Sequence, residues 1–240
     1  MLTINNFSKT YQGGKKAVDN LSLQVDAGDI FGFIGHNGAG KSTTIKALVG
    51  VLDYEEGEIL INHHSMKKEP VICKQQLAYI PDNPDLYEHL TGIQYLNFIA
   101  DIFNVSGPLR EERIKKYAEQ FEITGNLGDL ISSYSHGMKQ KLAIISAVLH
   151  EPKLLVLDEP FVGLDPKASI VLRELMHELC QTGSAIFFST HVLEVAQKLC
   201  NKVAMIHQGK LAFSGSMDQL LTEHAGESLE DIFMQTLQSH

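Results

Sequence analysis

Hydrophobic and polar positions follow two rhythms along this chain. Residues 21–25 (Leu-Ser-Leu-Gln-Val) alternate apolar with polar, the period of a strand with one buried face. Residues 2–4 and 58–61 read as strands of the same β-rich first part. Three other runs are apolar throughout: Ile30-Phe31-Gly32-Phe33-Ile34, Leu154-Leu155-Val156-Leu157 and Ala185-Ile186-Phe187-Phe188. Short unbroken runs of this kind predict central strands covered on both faces. Helical spacing takes over elsewhere. Thr91-Gly92-Ile93-Gln94 is a capping-box pattern that opens a helix through about Phe103. Pro108 stands in the first turn of a second helix that reaches Phe121 with its charges on the outer face. Residues 85–150 hold no strong strand pattern, which predicts a helical insertion. Helices are predicted at 167–180 and 192–199, each after a late apolar strand. Residues 202–206 and 211–214 flank His207-Gln208-Gly209-Lys210, a hairpin signal, and the tail 217–240 reads as two short helices. Alternation of strands and helices predicts an α/β fold with a mixed sheet, an N-terminal antiparallel β part and an inserted α-helical subdomain.

The chemistry begins at Gly35-His36-Asn37-Gly38-Ala39-Gly40-Lys41-Ser42. This segment fits the phosphate-loop pattern GxxxxGK[ST] between a predicted strand and a helix over 43–48, the context that turns a match into a site. A chance match in a chain of this length is on the order of one in a hundred. Glycines let the backbone wrap a phosphate with its N–H groups, and the helix N-terminus adds a favourable dipole. Lys41 is the candidate for the β- and γ-phosphates, and the Ser42 hydroxyl for Mg²⁺. This makes the core a P-loop NTPase.

Further along, the run 154–157 ends in Asp158-Glu159. At the end of a buried strand, Asp158 is placed to face Mg²⁺, and Glu159 to polarise a water against the γ-phosphate. Ser189-Thr190-His191 follows the next apolar strand, where His191 could hold Glu159 and that water in register. Tyr134-Ser135-His136-Gly137-Met138-Lys139-Gln140 precedes a helix rich in Ala, Leu and Ile. Ser135 suits an N-cap, and Ser135 with the Gly137 N–H also suits a γ-phosphate at a helix N-terminus. Both hold together only if that phosphate comes from a second subunit, provided the helical insertion projects away from the phosphate loop.

Composition narrows the setting. The chain has 240 residues, 44% of them hydrophobic, enough for one well-buried domain or a domain with a subdomain. Its formal net charge is −9 with no basic block, which disfavours nucleic acid as a partner. Cys73, Cys180 and Cys200 match no metal pattern and read as free thiols of a reducing compartment. No apolar run approaches the ~18 residues of a membrane span, and no signal peptide is visible. The expected setting is the cytosol unless a partner holds the chain at a membrane.

In order, Tyr11, the loop 35–42, the segment 79–84, the stretch 134–140, Asp158-Glu159, Gly163-Leu164-Asp165 and His191 resemble the ATP-binding subunit of ABC transporters over nearly the whole chain. The resemblance implies that 1–240 is a single ATP-binding domain, with a helical subdomain at 85–150 and a tail at 217–240. It implies ATP and Mg²⁺ as ligands. Tyr11 would stack on adenine, and Gly35, His36, Asn37, Gly38, Ala39, Gly40, Lys41, Ser42 and Thr43 would bind the phosphates. Glu159, His191 and Lys41 would be catalytic. Ser135 and Gly137 would contact the ATP of an opposite subunit, and Gly163, Leu164 and Asp165 would form the loop that crosses between subunits. The partners implied are a second ATP-binding subunit, head to tail, and an integral-membrane permease, with the chain peripheral on the cytoplasmic face of the cell membrane.

Two stretches depart from the family pattern. Residues 134–138 read Tyr-Ser-His-Gly-Met where the family usually has Leu-Ser-Gly-Gly-Gln, keeping the Ser and the second Gly. Asp82 stands where the family usually has Gln; between Pro81 and Pro84 it reads equally as a turn-forming residue and as a candidate to approach Mg²⁺ or its water. Both resemble an exporter branch whose permeases are separate chains, which includes drug, antibiotic and antimicrobial-peptide exporters. The tail Ser228-Leu229-Glu230-Asp231-Ile232-Phe233 resembles that branch too. Ribosome- or DNA-directed relatives carry tandem domains or a long coiled coil; here 117 residues separate Lys41 from Asp158, with no heptad run and no second phosphate loop. Intact Asp158, Glu159 and His191 argue against a subunit that binds ATP without hydrolysing it.

Overall fold

Two sheets of different character organise the chain. The computed structural model describes residues 1–238. Its elements run β1 (Leu2–Thr10), β2 (Lys16–Val25), β3 (Ile30–Ile34), α1 (Lys41–Leu48), β4 (Glu56–Ile61), β5 (His64–Ser65), α2 (Pro70–Gln76) and β6 (Leu77–Ile80). Three helices follow, α3 (Gly92–Ile102), α4 (Gly107–Gln120) and α5 (His136–Val148). Then come β7 (Leu154–Asp158), α6 (Pro166–Gln181), β8 (Ala185–Thr190), α7 (Leu193–Leu199), β9 (Lys202–His207), β10 (Lys210–Ser216), α8 (Met217–Glu223) and α9 (Leu229–Gln238). No described helix is long and apolar enough to cross a membrane.

The first sheet is antiparallel, in the order β2-β1-β4-β5. Its strands β1 and β2 are longer than the apolar alternation predicts. Leu2 pairs with Val25 and Ile4 with Leu23, but the register then shifts three times before Thr10. Asn6 and Asn20 take positive φ values of 50° and 53° there, a conformation Asn tolerates. Bulges break the two-residue period, so the sequence pattern stops where the strands do not.

The second sheet is mixed, in the order β10-β9-β3-β8-β7-β6, with β10 antiparallel to β9 and all other neighbours parallel. Its unbroken apolar strands are covered on both faces. Phe31 and Phe33 of β3 point to a core shared with the antiparallel sheet, while Ile30 and Ile34 point to a core under the helices. Gly32 is required for that second packing, because a Cβ there would lie 2.7 Å from the Cys200 Sγ at the end of α7. Parallel pairing sets Ile34 beside Thr190 and Asp158 beside Ser189, so the loops after β3, β7 and β8 leave the sheet side by side. That edge is where α/β sheets bind ligands.

The α3–α5 segment lies between β6 and β7, with no strand among its described residues. Thr91 and Gln94 form the predicted capping box of α3, and Pro108 stands in the first turn of α4. Two details correct the sequence reading. Helix α5 begins at His136, so residues 136–140 form its first turns rather than precede it. The β9–β10 connection is a two-residue turn in which Gln208 (φ 47°) and Gly209 (φ 81°) are both left-handed, the hairpin turn that matches strand twist.

Candidate active site

The phosphate loop leaves β3 through positions that only glycine satisfies. A Cβ on Gly35 would lie 2.6 Å from the Ile206 carbonyl oxygen; on Gly40, at φ 113°, it would lie 2.7 Å from that of Ala17. Helix α1 starts directly after Gly40 with no side-chain cap, so its first-turn N–H groups are left without intrahelical partners. Lys41 is 6% exposed; its Nζ donates to the carbonyl oxygens of Gly35 at 2.5 Å and His36 at 3.3 Å. Burial lowers its pKa, while the carboxylates of Glu159 and Asp158 push it back up. A desolvated ammonium held among carbonyl dipoles is a strong anion acceptor.

The acidic side of the site comes from β7 and β8. Asp158 is 5% exposed, and its Oδ1 accepts a hydrogen bond from the Ser189 hydroxyl. Glu159 follows in a left-handed conformation (φ 48°), its N–H bonded to the Ser189 carbonyl at 3.2 Å. A non-glycine residue in that region is strained, and such strain concentrates at functional sites. The Glu159 Oε1 lies 2.8 Å from His191 Nδ1. A proton on Nδ1 would donate to this carboxylate and leave Nε2 as an acceptor. Burial pushes the Tyr79 hydroxyl up to about 12, and the charges of Asp158 and Asp82 add to the shift.

Lys41, Asp158 and Glu159 share one cleft of about 570 Å³, whereas His191 reaches it only through Glu159. His36, Asn37, Gly38, Gly40, Lys41, Ser42 and Thr43 form one wall, and Asp82, Asp158 and Glu159 another. Gly35 and Ala39 of the same loop are not among the lining residues. Tyr11 stands at the mouth, 42% exposed, its hydroxyl 3.3 Å from Thr43 Oγ1. The sequence reading missed Lys15, Lys16, Ala17 and Gln208, which also line the cleft. Gly13-Gly14-Lys15-Lys16 after Tyr11 is a turn signal with two cations that hinted at the first pair. Gln208 gave no signal, because only the folded hairpin brings it there. Asp82 lines the cleft, but its Oδ1 accepts from the Asn83 N–H at 2.9 Å in a turn.

Ser135, Gly137, Gly163, Leu164 and Asp165 form a second group outside this lining. The Ser135 hydroxyl accepts from the Met138 N–H at 3.3 Å and caps α5. A Cβ on Gly137 would lie 2.9 Å from the Gly163 carbonyl oxygen, so the two loops touch. Asp165 caps α6 through the Ala168 N–H at 2.8 Å and pairs with Lys141 at 2.7 Å, which lowers its carboxyl pKa.

The donor set fits Mg²⁺ carried by a nucleotide. Asp158 and the Ser42 hydroxyl are hard oxygen donors on one cleft, and that hydroxyl has no hydrogen-bond partner among the described residues. No group of three or more His, Cys, Asp or Glu among the described residues could cage a metal alone. Mg²⁺ is held this way when substrate phosphates and waters complete its shell.

The comparisons with known proteins agree with this geometry. Residues 18–162 match the family model described as ABC transporter. The chain is 35% identical over 218 residues to the ABC-type transporter ATP-binding protein EcsA of Bacillus subtilis (strain 168), covering 90% of this chain and 88% of that one. It is 31% identical to the linearmycin resistance ATP-binding protein LnrL of the same organism, covering 95% and 73%. A solved structure of the ATP binding subunit of an ABC transporter superposes with a TM-score of 0.94 at 34% identity, covering 99% of each chain. A phosphate loop facing a carboxylate pair, in a fold and sequence shared this far, places the chain in the ABC transporter family, as an ATP-binding subunit that hydrolyses ATP with Mg²⁺.

Proposed function

We propose that this chain is the motor subunit of an exporter. It works as a head-to-tail pair of ATP-binding subunits on the cytoplasmic face of the membrane and drives a separate integral-membrane permease. In this reading residues 1–240 are one ATP-binding domain with a helical subdomain at 85–150 and a tail at 217–240, whose last two residues lie outside the described residues. The observation that carries the chemistry is Glu159, which lines the cleft with Lys41 and is held from outside that lining by His191 at 2.8 Å.

Tyr11 stacks on the adenine. The backbone of residues 35–43 wraps the phosphates, and Lys41 leaves its carbonyl partners to neutralise the β- and γ-phosphate oxygens. Ser42 and Asp158 would hold Mg²⁺, which would supply positive charge against the phosphates. Glu159 polarises the attacking water, and His191 fixes the carboxylate. Asp82, on the same cleft, would approach Mg²⁺ or its water. Ser135 and Gly137, outside this subunit's cleft lining, complete the site of the opposite subunit, with residues 163–165 crossing between the two.

Two further observations support export through a permease. Tyr87 and Phe98 are exposed (50% and 41%) on the helical side with ring centroids 5.6 Å apart, an apolar surface suited to a permease helix. Among the relatives, LnrL is described as a resistance protein. The test is Glu159→Gln purified from native membranes with ATP. We expect ATP binding to persist, turnover to fall by at least ~10²-fold, a stable dimer, and a multi-span membrane protein in the complex. Exclusively soluble partners at good yield would overturn the transport reading, and normal turnover would remove Glu159 from its role.

A further inference from the structure

The tail helix α9 ends a motif with a role the cleft alone does not reveal. It begins from a reciprocal cap: the Ser228 hydroxyl accepts from the Asp231 N–H at 3.2 Å, and Asp231 Oδ2 accepts from the Ser228 N–H at 3.1 Å. The Leu229 N–H donates to Gln197 Oε1 at 3.3 Å, which ties α9 to α7 directly after the His191 strand. Leu229, Ile232 and Phe233 are all buried in the helical core. Phe233 then touches the site itself. Its ring centroid lies 5.0 Å from that of His36, at 54°, and His36 is a cleft residue whose carbonyl accepts from Lys41.

We infer that Phe233 is a positioning residue for the phosphate loop. It acts through His36, so that α9 and the nucleotide are thermodynamically coupled. The inference rests on the assignment of residues 35–42 as the phosphate loop. The loop carries Gly38 and Gly40 at positive φ and has few side chains of its own to hold it. A buried ring against His36 removes conformational freedom that binding would otherwise have to remove. Coupling is reciprocal: a nucleotide that orders His36 also secures Phe233 and the helix that bears it. The motif at 228–233 thereby gains a physical reason. The Ser-to-Asp cap fixes where α9 starts, and Phe233 falls on the turn that faces the loop.

The test measures binding of a fluorescent ATP analogue in a Glu159→Gln background and kcat in the otherwise native chain. Phe233→Leu keeps an apolar side chain and removes the ring. We expect its dissociation constant to rise about three- to tenfold, with kcat unchanged at saturating ATP. In a His36→Ala background the same substitution is expected to add nothing. Ile232→Val, one position away on α9 and off the loop, lowers the melting temperature without changing affinity. Amides of 229–236 should exchange more slowly with ATP bound, and lose that protection in His36→Ala. An unchanged dissociation constant in Phe233→Leu overturns the inference, as does an equal rise in Ile232→Val or a full effect of Phe233→Leu without His36. Loss of all analogue binding in the parent Glu159→Gln protein would instead overturn the loop assignment beneath it.

Discussion

Helices α1 and α5 each carry a glycine at or beside the first residue, Gly40 and Gly137, yet the two starts are built in opposite ways. At α1 the cap is Gly40, no side chain bonds the first-turn N–H groups, and a buried ammonium leans on carbonyl oxygens. At α5 the Ser135 hydroxyl bonds the Met138 N–H, and Tyr134 behind it is buried with its hydroxyl on the Asn126 carbonyl at 2.6 Å. The first terminus is electrostatically incomplete without an anion; the second satisfies itself. In the proposed function, the terminus that lacks partners is the one that takes phosphate within its own subunit. One that is already capped can keep its shape until a phosphate arrives from another subunit.

Lys41→Met tests the first terminus and carries the largest expected effect. Loss of the ammonium should lower kcat/KM by more than about 100-fold, since a charge-assisted contact to the transferring phosphoryl group disappears. The protein without nucleotide should melt no lower than wild type, because the substitution also removes a buried charge. Calorimetric titration with ATP and a thermal melt separate the two effects. A large drop in melting temperature would mean that Lys41 is structural, and the contrast between the termini would collapse.

Ser135→Asp tests the second. Asp caps a helix as well as Ser does, so stability should hold, but its charge repels phosphate. Turnover of the dimer is expected to fall on the order of 100-fold, with ATP affinity of the isolated subunit unchanged. Ser135→Ala gives the converse on stability, a loss of about 1 kcal/mol from the missing cap. Full turnover in Ser135→Asp would leave Ser135 a cap and nothing more.

Much of this contrast is legible in the sequence, because each terminus is local. Residues 30–48 spell strand, loop and helix in one stretch, and the runs at 154–157 and 185–188 mark the strands whose ends carry Asp158 and His191. The antiparallel part is less legible, since bulges near Asn6 break the alternation on which a strand is recognised. Helix α2 was missed because it is short, and the strand before residues 79–84 was legible only through the family resemblance, since β6 gains its place by pairing with β7 across a separation of 77 residues (Leu77 with Leu154). The same holds within the site. The Ser189 bond to Asp158, the Lys141 pair with Asp165 and the contact of Phe233 with His36 join segments far apart in sequence. A motif gives the residues that meet the ligand, and closure of the fold decides what holds them.

The far end of α5 extends the comparison, because it too is satisfied by the protein itself. Arg113 Nη1 donates to the Leu149 carbonyl at 2.5 Å, and His150 stacks on Phe103 with ring centroids 3.6 Å apart. Burial lowers the His150 pKa to about 4, with the nearby Arg113 charge adding to it against the Leu77 carbonyl. Between about pH 4 and pH 6.5 the unfolded chain therefore binds a proton that the folded one does not. Stability is whole above that window and declines as pH falls through it, by roughly 2 kcal/mol at pH 5. His150→Phe keeps the stack and removes the proton, so it should flatten this part of the profile. Urea unfolding of both proteins at pH 7.5 and pH 5 measures the difference. Parallel losses in the two would show that His150 is not held neutral.

The smallest effect concerns how the self-capped terminus reaches its neighbour. Gly163 has φ 82°, and a Cβ there would lie 2.5 Å from the Cδ2 of His136, in the first turn of α5. The imidazole is exposed and can swing away, so the main cost of Gly163→Ala is backbone strain, about 1 kcal/mol. For a chain of this size that lowers the melting point by roughly 2–4 °C. Nucleotide affinity of the single subunit should not change, since Gly163 is outside the cleft lining. Turnover should drop, because the displaced His136 pulls on the α5 terminus that Ser135 caps. Adding His136→Ala leaves the backbone strain in place but removes the clash. If turnover recovers in the double variant while the melting point stays low, the two loops communicate through that one side chain. If both stay low, the backbone of residues 163–165 sets the geometry directly, and the terminus of α5 is fixed by its own cap alone.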